Sequence, residues 1–471
     1  MATTAMFGRA FSRQLARSTV ARIPSLQLKR GAASAAVAQI APEVDGPLDQ
    51  HPWREEFWRR VPVYENVSTR DFISYRWSIR NTVQGQAKLW QFLNSVVPNE
   101  IPMDKEGTRT QSKEDFLVDV VDGVTSLTMS IRLTPYVLSR INWQDPRNDP
   151  IFRQFIPLKS MLLPDHPKLT LDSLHETDDS PVPGLVHRYP DKALFLAVSV
   201  CPTYCTFCTR SYAVGADTET VTKTSFSPTR KRWDQVFAYI ESTPQLQDIV
   251  ISGGDSYYLQ PEHIRMIADR LIAIPHIRRF RFASKGLAVA PTRLLDPEDG
   301  WADALIDVSR KAKFSGKSVA LHTHFNHPNE FSWITGEAAQ RLVEADVTIR
   351  NQSVLLRGVN DNAETMSKLI RSLADNRITP YYVYICDMVK MNEHMRTPLQ
   401  TLLDVEAQIR GSIAGFMMPQ FVVDLPGGGG KRLGCTYESY DRKTGISRFV
   451  APAVTAATGG RGRGKPEVFE V

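Results

Sequence analysis

The sequence predicts an α/β protein: a curved partial barrel of parallel strands, preceded by a helical domain. Three observations predict it. From Lys192 onward, short runs rich in Val, Ile, Leu and Phe alternate with amphipathic segments of helical period. Polar and glycine-rich residues gather at the ends of those runs, where a barrel carries its active face. Ahead of them lies a tryptophan-rich stretch whose apolar residues recur at helical spacing.

The elements follow in order. The opening, "MATTAMFGRAFSRQLARSTVARIPSLQLKRGAASAAVAQ", is rich in Arg, Ser and Ala, and the first acidic residue is Glu43. Arg9, Arg13 and Arg17 recur every four residues with Phe7, Phe11 and Leu15 between them, so a helix there carries one basic and one apolar face. Residues 1–40 therefore read as a mitochondrial transit peptide for a matrix protein, the alternative being a disordered basic tail. In residues 49–157, "EEFWRRVPVY", "RDFISYRWSIRN", "QAKLWQFLNSVV" and "QSKEDFLVDVVDGVTSLTMSIRLTPYVLSRI" read as helices of an N-terminal domain. Residues 158–191, dense in proline and acidic residues, form a connection that wraps or enters something. In the barrel, 192–410, "ALFLAVSV", "QDIVISGGD", "RRFRFASKG", "SVALHTHFN", "ADVTIRNQSVLL" and "TPYYVYICD" read as strands. "RKRWDQVFAYIES", "QPEHIRMIADRLIAI" and "NAETMSKLIRSLADN" read as helices between them. The C-terminal region, 411–471, holds one more strand in "GFMMPQFVVDLP" and a loosely ordered tail, "TGGRGRGKPEVFEV".

Size and composition exclude several classes. A chain of 471 residues, 42% of them hydrophobic, is enough for one large core or two unequal domains. Five cysteines in that length are no disulfide scaffold, which points to a reducing compartment. The formal charge of +6 is concentrated in the first forty residues, so it argues against nucleic-acid binding by the rest. No uninterrupted apolar segment is long enough to span a membrane.

Three cysteines, Cys201, Cys205 and Cys208, fall within eight residues in "CPTYCTFCTR", directly after a buried strand. Four thiolates close a structural zinc or iron–sulfur site, whereas three leave one iron of a cubane needing another ligand. An open iron is a place for chemistry, and thiolates are soft ligands suited to such clusters. The alternatives are a three-cysteine zinc site completed by a histidine, and unconnected structural thiols. Cys386 and Cys435 have no partner at ligand spacing and read as packing residues. After the strand "DIVIS", Gly253, Gly254 and Asp255 let the backbone come close to a ligand, or make a plain strand-to-helix turn. "HTHFNHPNE" sets His322 and His324 two apart, with His327 just beyond; no cysteine or acidic pair completes a zinc cluster there. In "DLPGGGGKR", Asp424 ends a strand and Gly427 to Gly430 lead to Lys431. A Walker loop is excluded because Arg432, not Ser or Thr, follows the lysine.

"CPTYCTFCTR" resembles the signature of the radical S-adenosylmethionine enzymes. The wider chain, from "QDPRNDPIFRQFIP" through "LHETDDSPVPGLVHRYPDKALFL", "ISGGD", "HTHFNHPNE", "NQSVLLRGVND", "YYVYICD" and "HMRTP" to "VVDLPGGGGK", resembles the lysine 2,3-aminomutases. The resemblance covers roughly residues 140–435. It implies a partial (βα)6-type TIM barrel of the radical S-adenosylmethionine kind. It also implies a [4Fe-4S] cluster on Cys201, Cys205 and Cys208, with S-adenosylmethionine held by Gly253, Gly254, Asp255 and His324. It makes Lys431 the Schiff-base lysine of pyridoxal 5'-phosphate, with Arg188 at its phosphate and Gln352 also near the cofactor. Lys192 stands where such enzymes commonly have a second arginine, keeping the charge but losing the bidentate fork. By the same resemblance Arg210 pairs with the substrate carboxylate, and Asp387 and Asp424 grip the distal ammonium of lysine. Buried carboxylates are costly unless paired, so two facing each other call for a cation and disfavour glutamate. The reaction implied is conversion of L-α-lysine to β-lysine by radical 1,2-amino migration.

The chain departs from the family in three places. Asn362 stands where zinc-containing members have a cysteine after "RGVND", and no cysteine follows Cys435, so structural zinc is not expected. Ser284 and Lys285 stand in "RFASKG" where the family usually reads "GTR". Ser256, Tyr257 and Tyr258 replace the commoner proline-leucine continuation after "GGD". Three other readings stay open: the same chemistry on arginine or another amino acid, a radical lyase or deaminase, and a non-enzymatic iron–sulfur regulatory protein. The one-electron donor stays unidentified, and the helical N-terminal domain is a candidate surface for homo-oligomer formation.

Overall fold

The computed structural model of the chain describes residues 54–452 and 468–470. The expected transit segment, residues 1–40, lies outside the described residues.

The apolar runs form one nine-stranded sheet whose spatial order follows the sequence. Its strands are β1 (Leu185–Val186), β2 (Lys192–Val198), β3 (Asp248–Gly253), β4 (Arg279–Ala283), β5 (Ser318–Thr323), β6 (Thr348–Leu355), β7 (Thr379–Ile385), β8 (Gln420–Leu425) and β9 (Gly430–Leu433). From β2 to β8 every neighbouring pair is parallel. A parallel strand cannot follow its neighbour through a tight turn, so each step needs a crossover. Helices supply them all: Arg230–Glu241, Pro261–Ala273, Trp301–Phe314, Trp333–Glu344, Ala363–Asp375 and Leu399–Ile409. Six strand–helix units followed by a closing strand make the expected partial (βα)6 barrel with a helical N-terminal region. Only the edges are antiparallel, β1 against β2 and β9 against β8.

The helical crossovers explain the burial of the strands. In β2 only Lys192 and Leu194 are partly exposed, because one face meets the barrel interior and the other a helix. Helix starts are set by side-chain caps where the sequence offers them. Ser332 caps Trp333–Glu344 and Asn362 caps Ala363–Asp375, each accepting from an early backbone N–H.

The N-terminal helices form as short pieces. Ser68, Ser74, Ser112 and Thr134 cap Thr69–Ile73, Tyr75–Arg80, Lys113–Ser126 and Pro135–Arg140. "EEFWRRVPVY" is tighter than expected, two 3₁₀ turns at Phe57–Arg60 and Pro62–Tyr64, because Pro62 has no N–H to continue a helix. Trp58, fully buried, stacks on Phe72 with ring centroids 4.2 Å apart. One continuous apolar core runs from these residues through the barrel to Phe449.

Two expectations are corrected. In the tail, Val468–Glu470 is a strand pairing antiparallel with Ser447–Val450, so that part is ordered by sheet hydrogen bonds. Cys435 is exposed rather than packed, because it follows the edge strand β9; Cys386 is buried as expected. Among the described residues no helix is long and apolar enough to cross a membrane.

Candidate functional site

At the C-terminal ends of the strands lie two adjoining cavities, of about 320 and 220 Å³. They share Arg210, His324 and Gln352 in their walls. Every residue to which the resemblance assigns a role lines one or the other. Arg188, Lys192, Arg210, Asp387, Asp424 and Lys431 line the larger. Cys201, Cys205, Cys208, Gly253, Gly254 and Asp255 line the smaller.

In the smaller cavity, Cys201 and Cys208 pack against Met129, Tyr204 and Val214. Burial pushes all three thiols up, Cys205 to about 12, so they ionise only with a cation among them. Among the described residues no three His, Cys, Asp or Glu side chains already converge on a metal position. The donor set itself, three soft thiolates on one loop around a cavity, fits an iron–sulfur cluster.

The glycines of "GGD" have a more immediate purpose than ligand contact. Gly253 has φ +116°, and a Cβ there would fall 2.1 Å from the carbonyl oxygen of Val198. At Gly254 it would fall 2.5 Å from that of Val200. Both glycines therefore let β3 lie directly against the chain leading into the cysteine loop. Asp255 accepts from the N–H groups of Tyr257 and Lys285, each at 2.8 Å.

In the larger cavity Lys431, Arg210 and Arg188 already have carboxylate partners. Lys431 is on the antiparallel edge strand β9, directly opposite Asp424 on β8, and the two side chains form an ion pair. Burial works against the Lys431 ammonium, but Asp424 outweighs it and the lysine is held well above its ordinary value. Its ammonium lies 5.4 Å from the centre of the Tyr384 ring. Arg210 makes a bidentate pair with Glu176, at 2.7 and 2.8 Å. Arg188 donates to Asp179 at 2.6 Å and to the carbonyl of Leu174. Asp387 pairs with no cation among the described residues and accepts from Thr209 at 2.6 Å. Burial, then the nearby Asp424 carboxylate, raises Asp387 to about 6. The buried Tyr189 hydroxyl and one oxygen of Asp424 have no hydrogen-bond partner among the described residues, as expected of walls built for a polar ligand. With a lysine, several cations and these unpaired atoms, the cavity fits pyridoxal phosphate.

Several wall residues were not singled out in the sequence. Glu176 lines the larger cavity and Asp179 backs Arg188; both come from the connection 158–191, which therefore enters the barrel mouth. Tyr382 and Tyr384, two apart on β7, share its inner face, and Tyr384 donates to Gln352 at 2.9 Å. Arg281, on β4, donates to Asp248 at 2.9 Å. The alternation of "RFRF" and "YYVY" was the available signal.

The chain is 39% identical over 373 residues to an L-lysine 2,3-aminomutase of Clostridium subterminale, covering 79% of this chain and 80% of that one. The chain belongs to the lysine 2,3-aminomutase family. A second family member, from Acetoanaerobium sticklandii, is 37% identical over 78% of this chain and 80% of its own. A glutamate 2,3-aminomutase of Clostridioides difficile is 26% identical over 78% of this chain and 77% of its own. No family model matches the chain. Among solved structures, the S-adenosylmethionine-bound SuiB of Streptococcus suis aligns with a TM-score of 0.34 at 13% identity, over 51% of each chain. This chain sets its cysteine loop and Lys431 in the two adjoining cavities at the strand ends.

Proposed function

We propose that this chain is an S-adenosylmethionine- and pyridoxal-phosphate-dependent L-lysine 2,3-aminomutase, moving the α-amino group of L-lysine to the β-carbon. One observation carries the choice of substrate: two carboxylates, Asp387 and Asp424, share a wall on which Lys431 is, among the described residues, the only ammonium paired to either. A ligand that brings a second ammonium relieves the cost of ionising Asp387. A glutamate side chain would bring a third carboxylate to the same place.

The residues divide the work. Cys201, Cys205 and Cys208 would hold the cluster, leaving one iron open. Gly253, Gly254, Asp255 and His324 would hold S-adenosylmethionine. Lys431 would anchor pyridoxal phosphate, with Arg188 and Lys192 as cations for its phosphate and Gln352 beside the ring. When bound, the cluster and S-adenosylmethionine supply hydrogen abstraction, and pyridoxal phosphate carries the migrating nitrogen. Arg210 would orient the substrate carboxylate, and its hold on Glu176 keeps the guanidinium aimed. Binding at both ends fixes which hydrogen of the β-carbon faces the smaller cavity. The enclosed walls keep water and stray hydrogen donors out. The basic, Ser- and Ala-rich opening supports action in the mitochondrial matrix, which imaging of residues 1–40 fused to a reporter tests.

The deciding experiment is anaerobic reconstitution of the full chain with iron, sulfide and pyridoxal phosphate. S-adenosylmethionine, dithionite and 13C-labelled L-lysine are then supplied, and the carbon spectrum is followed. A β-lysine signal that Lys431→Ala abolishes is expected. Cleavage of S-adenosylmethionine with lysine untouched would refute the substrate assignment, and arginine is the next substrate to supply. Release of ammonia would instead indicate a lyase.

A further inference from the structure

Beside the cysteine loop runs a buried polar network that the reaction outlined above does not use. Its centre is Lys285, just past β4 and 8% exposed. The Lys285 backbone N–H donates to Asp255 at 2.8 Å. Its ammonium donates to the carbonyl of His324 at 2.7 Å and to Glu330 at 3.0 Å. The other oxygen of Glu330 accepts from the N–H groups of Asn326, at 2.6 Å, and His327, at 3.0 Å. Asn326 Oδ1 stands 3.1 Å from His324 Nε2, and Asn326 Nδ2 donates to Gln154 at 3.0 Å. The carbonyl of Gln154 accepts both the N–H and the hydroxyl of Thr206, inside the cysteine loop, at 3.0 and 3.1 Å. Gln154 and Asn326 are fully buried. One lysine thus links the "GGD" turn, the histidine segment and the cysteine loop.

Two departures from the family pattern meet at this point. Ser256 donates to the carbonyl of Ala283 at 2.8 Å, and Tyr257 lies so close to Gly286 that a Cβ there would fall 2.3 Å from its ring. The residues replacing the usual continuation of "GGD" therefore pack on Ala283 and Gly286, the two residues that flank Ser284 and Lys285. The two changes form one unit, and Lys285 is the member of it that reaches His324.

We propose that Lys285 is a positioning residue for S-adenosylmethionine: it holds Asp255 and His324 at fixed separation across the smaller cavity and locks both to the cysteine loop. The proposal rests on the reading of that cavity as the S-adenosylmethionine site. Burial, then the adjacent Lys285 ammonium, keeps His324 neutral, so its ring offers a lone pair as well as a donor. Lys285 lines the smaller cavity and not the larger, so its loss spares the pyridoxal phosphate end.

The test measures S-adenosylmethionine binding to the reconstituted, non-turning-over protein. Equilibrium dialysis gives the affinity, and the electron paramagnetic resonance of the reduced cluster gives the change on binding. Iron, sulfide and pyridoxal phosphate contents are measured alongside. Lys285→Met is expected to weaken binding roughly ten- to hundredfold with cofactor contents unchanged. Lys285→Arg, which reaches the same acceptors, is expected to restore it. Wild-type affinity in a well-loaded Lys285→Met protein overturns the proposal. Loss of the fold in that variant would reflect the unpaired Glu330 charge. The double variant Lys285→Met/Glu330→Gln removes that charge and keeps the acceptor for Asn326 and His327; wild-type binding there overturns the proposal equally. If the wild-type protein itself does not bind S-adenosylmethionine, the reading of the cavity fails instead.

Discussion

Asp387→Asn should stabilise the ligand-free protein, and only above a definite pH. The carboxyl of Asp387 sits in the cavity wall beside Asp424, and burial with that neighbour moves it from 3.8 to about 6. Because the folded state holds the proton more tightly than the unfolded state, ionisation works against folding. Below about pH 4 both states are protonated and the wild-type chain is not penalised. Between about 4 and 6 the unfolded state gives up its proton while the folded state keeps it, so wild-type stability falls as pH rises. Above about 6 the full penalty is present, up to about 3 kcal/mol for a displacement of this size. An asparagine does not titrate. The difference in melting temperature between variant and wild type should therefore open across that window and then stay level. Taking about 2.1 cal/mol/K per residue over about 400 residues, the gap is about 3–4 °C. Scanning calorimetry from pH 4 to 8 on the cofactor-free protein measures it. A gap that is flat with pH, or that closes as pH rises, would refute the reasoning. It would mean that Lys431 serves both carboxylates at once.

Other outcomes follow from the same geometry. Lys431→Met in the cofactor-free protein removes the ammonium held by Asp424, and should create measurable L-lysine binding by calorimetry where the wild-type apoprotein shows none. Gly254→Ala puts a methyl group 2.5 Å from the carbonyl of Val200. A cost of about 1–3 kcal/mol and a lower iron content after reconstitution are expected. Glu176→Gln removes one charge from the bidentate partner of Arg210 and should raise the KM for lysine by about tenfold or more, read in steady-state assays.

The parallel strands were legible because each is a short apolar run bounded by polar residues, and the alternation with helical segments implied the crossovers. The antiparallel edges were not. Leu185–Val186 is two residues long, and Gly430–Leu433 begins in a run of glycines that reads as a loop. The site was legible wherever chemistry sits in one contiguous motif: the cysteine loop, "GGD", "HTHFNHPNE" and "DLPGGGGK". What could not be read was who partners whom. Glu176 lies 34 residues from Arg210, and Gln154 lies 172 residues from Asn326. Such pairs are decided by how the connection and the N-terminal helices fold onto the barrel, and no local spacing announces them. The purpose of Gly253 and Gly254 was missed for the same reason, since the backbone they accommodate belongs to another strand.

The anchoring of the N-terminal helices has a consequence for how the chain is made. Arg54 pairs with Glu337, 283 positions later, and Trp333 donates to the carbonyl of Glu55, 278 positions earlier. Trp58 thus meets Trp333, at a ring separation of 6.5 Å, only after most of the barrel has been synthesised, whereas its stack on Phe72 is local. Until then a cluster of large aromatic side chains is exposed on a growing polypeptide, and the contacts that cover it carry a high loop-closure cost. The N-terminal helices and the barrel share one core, so the outer contacts of that cluster are completed only once residues near 333 have emerged.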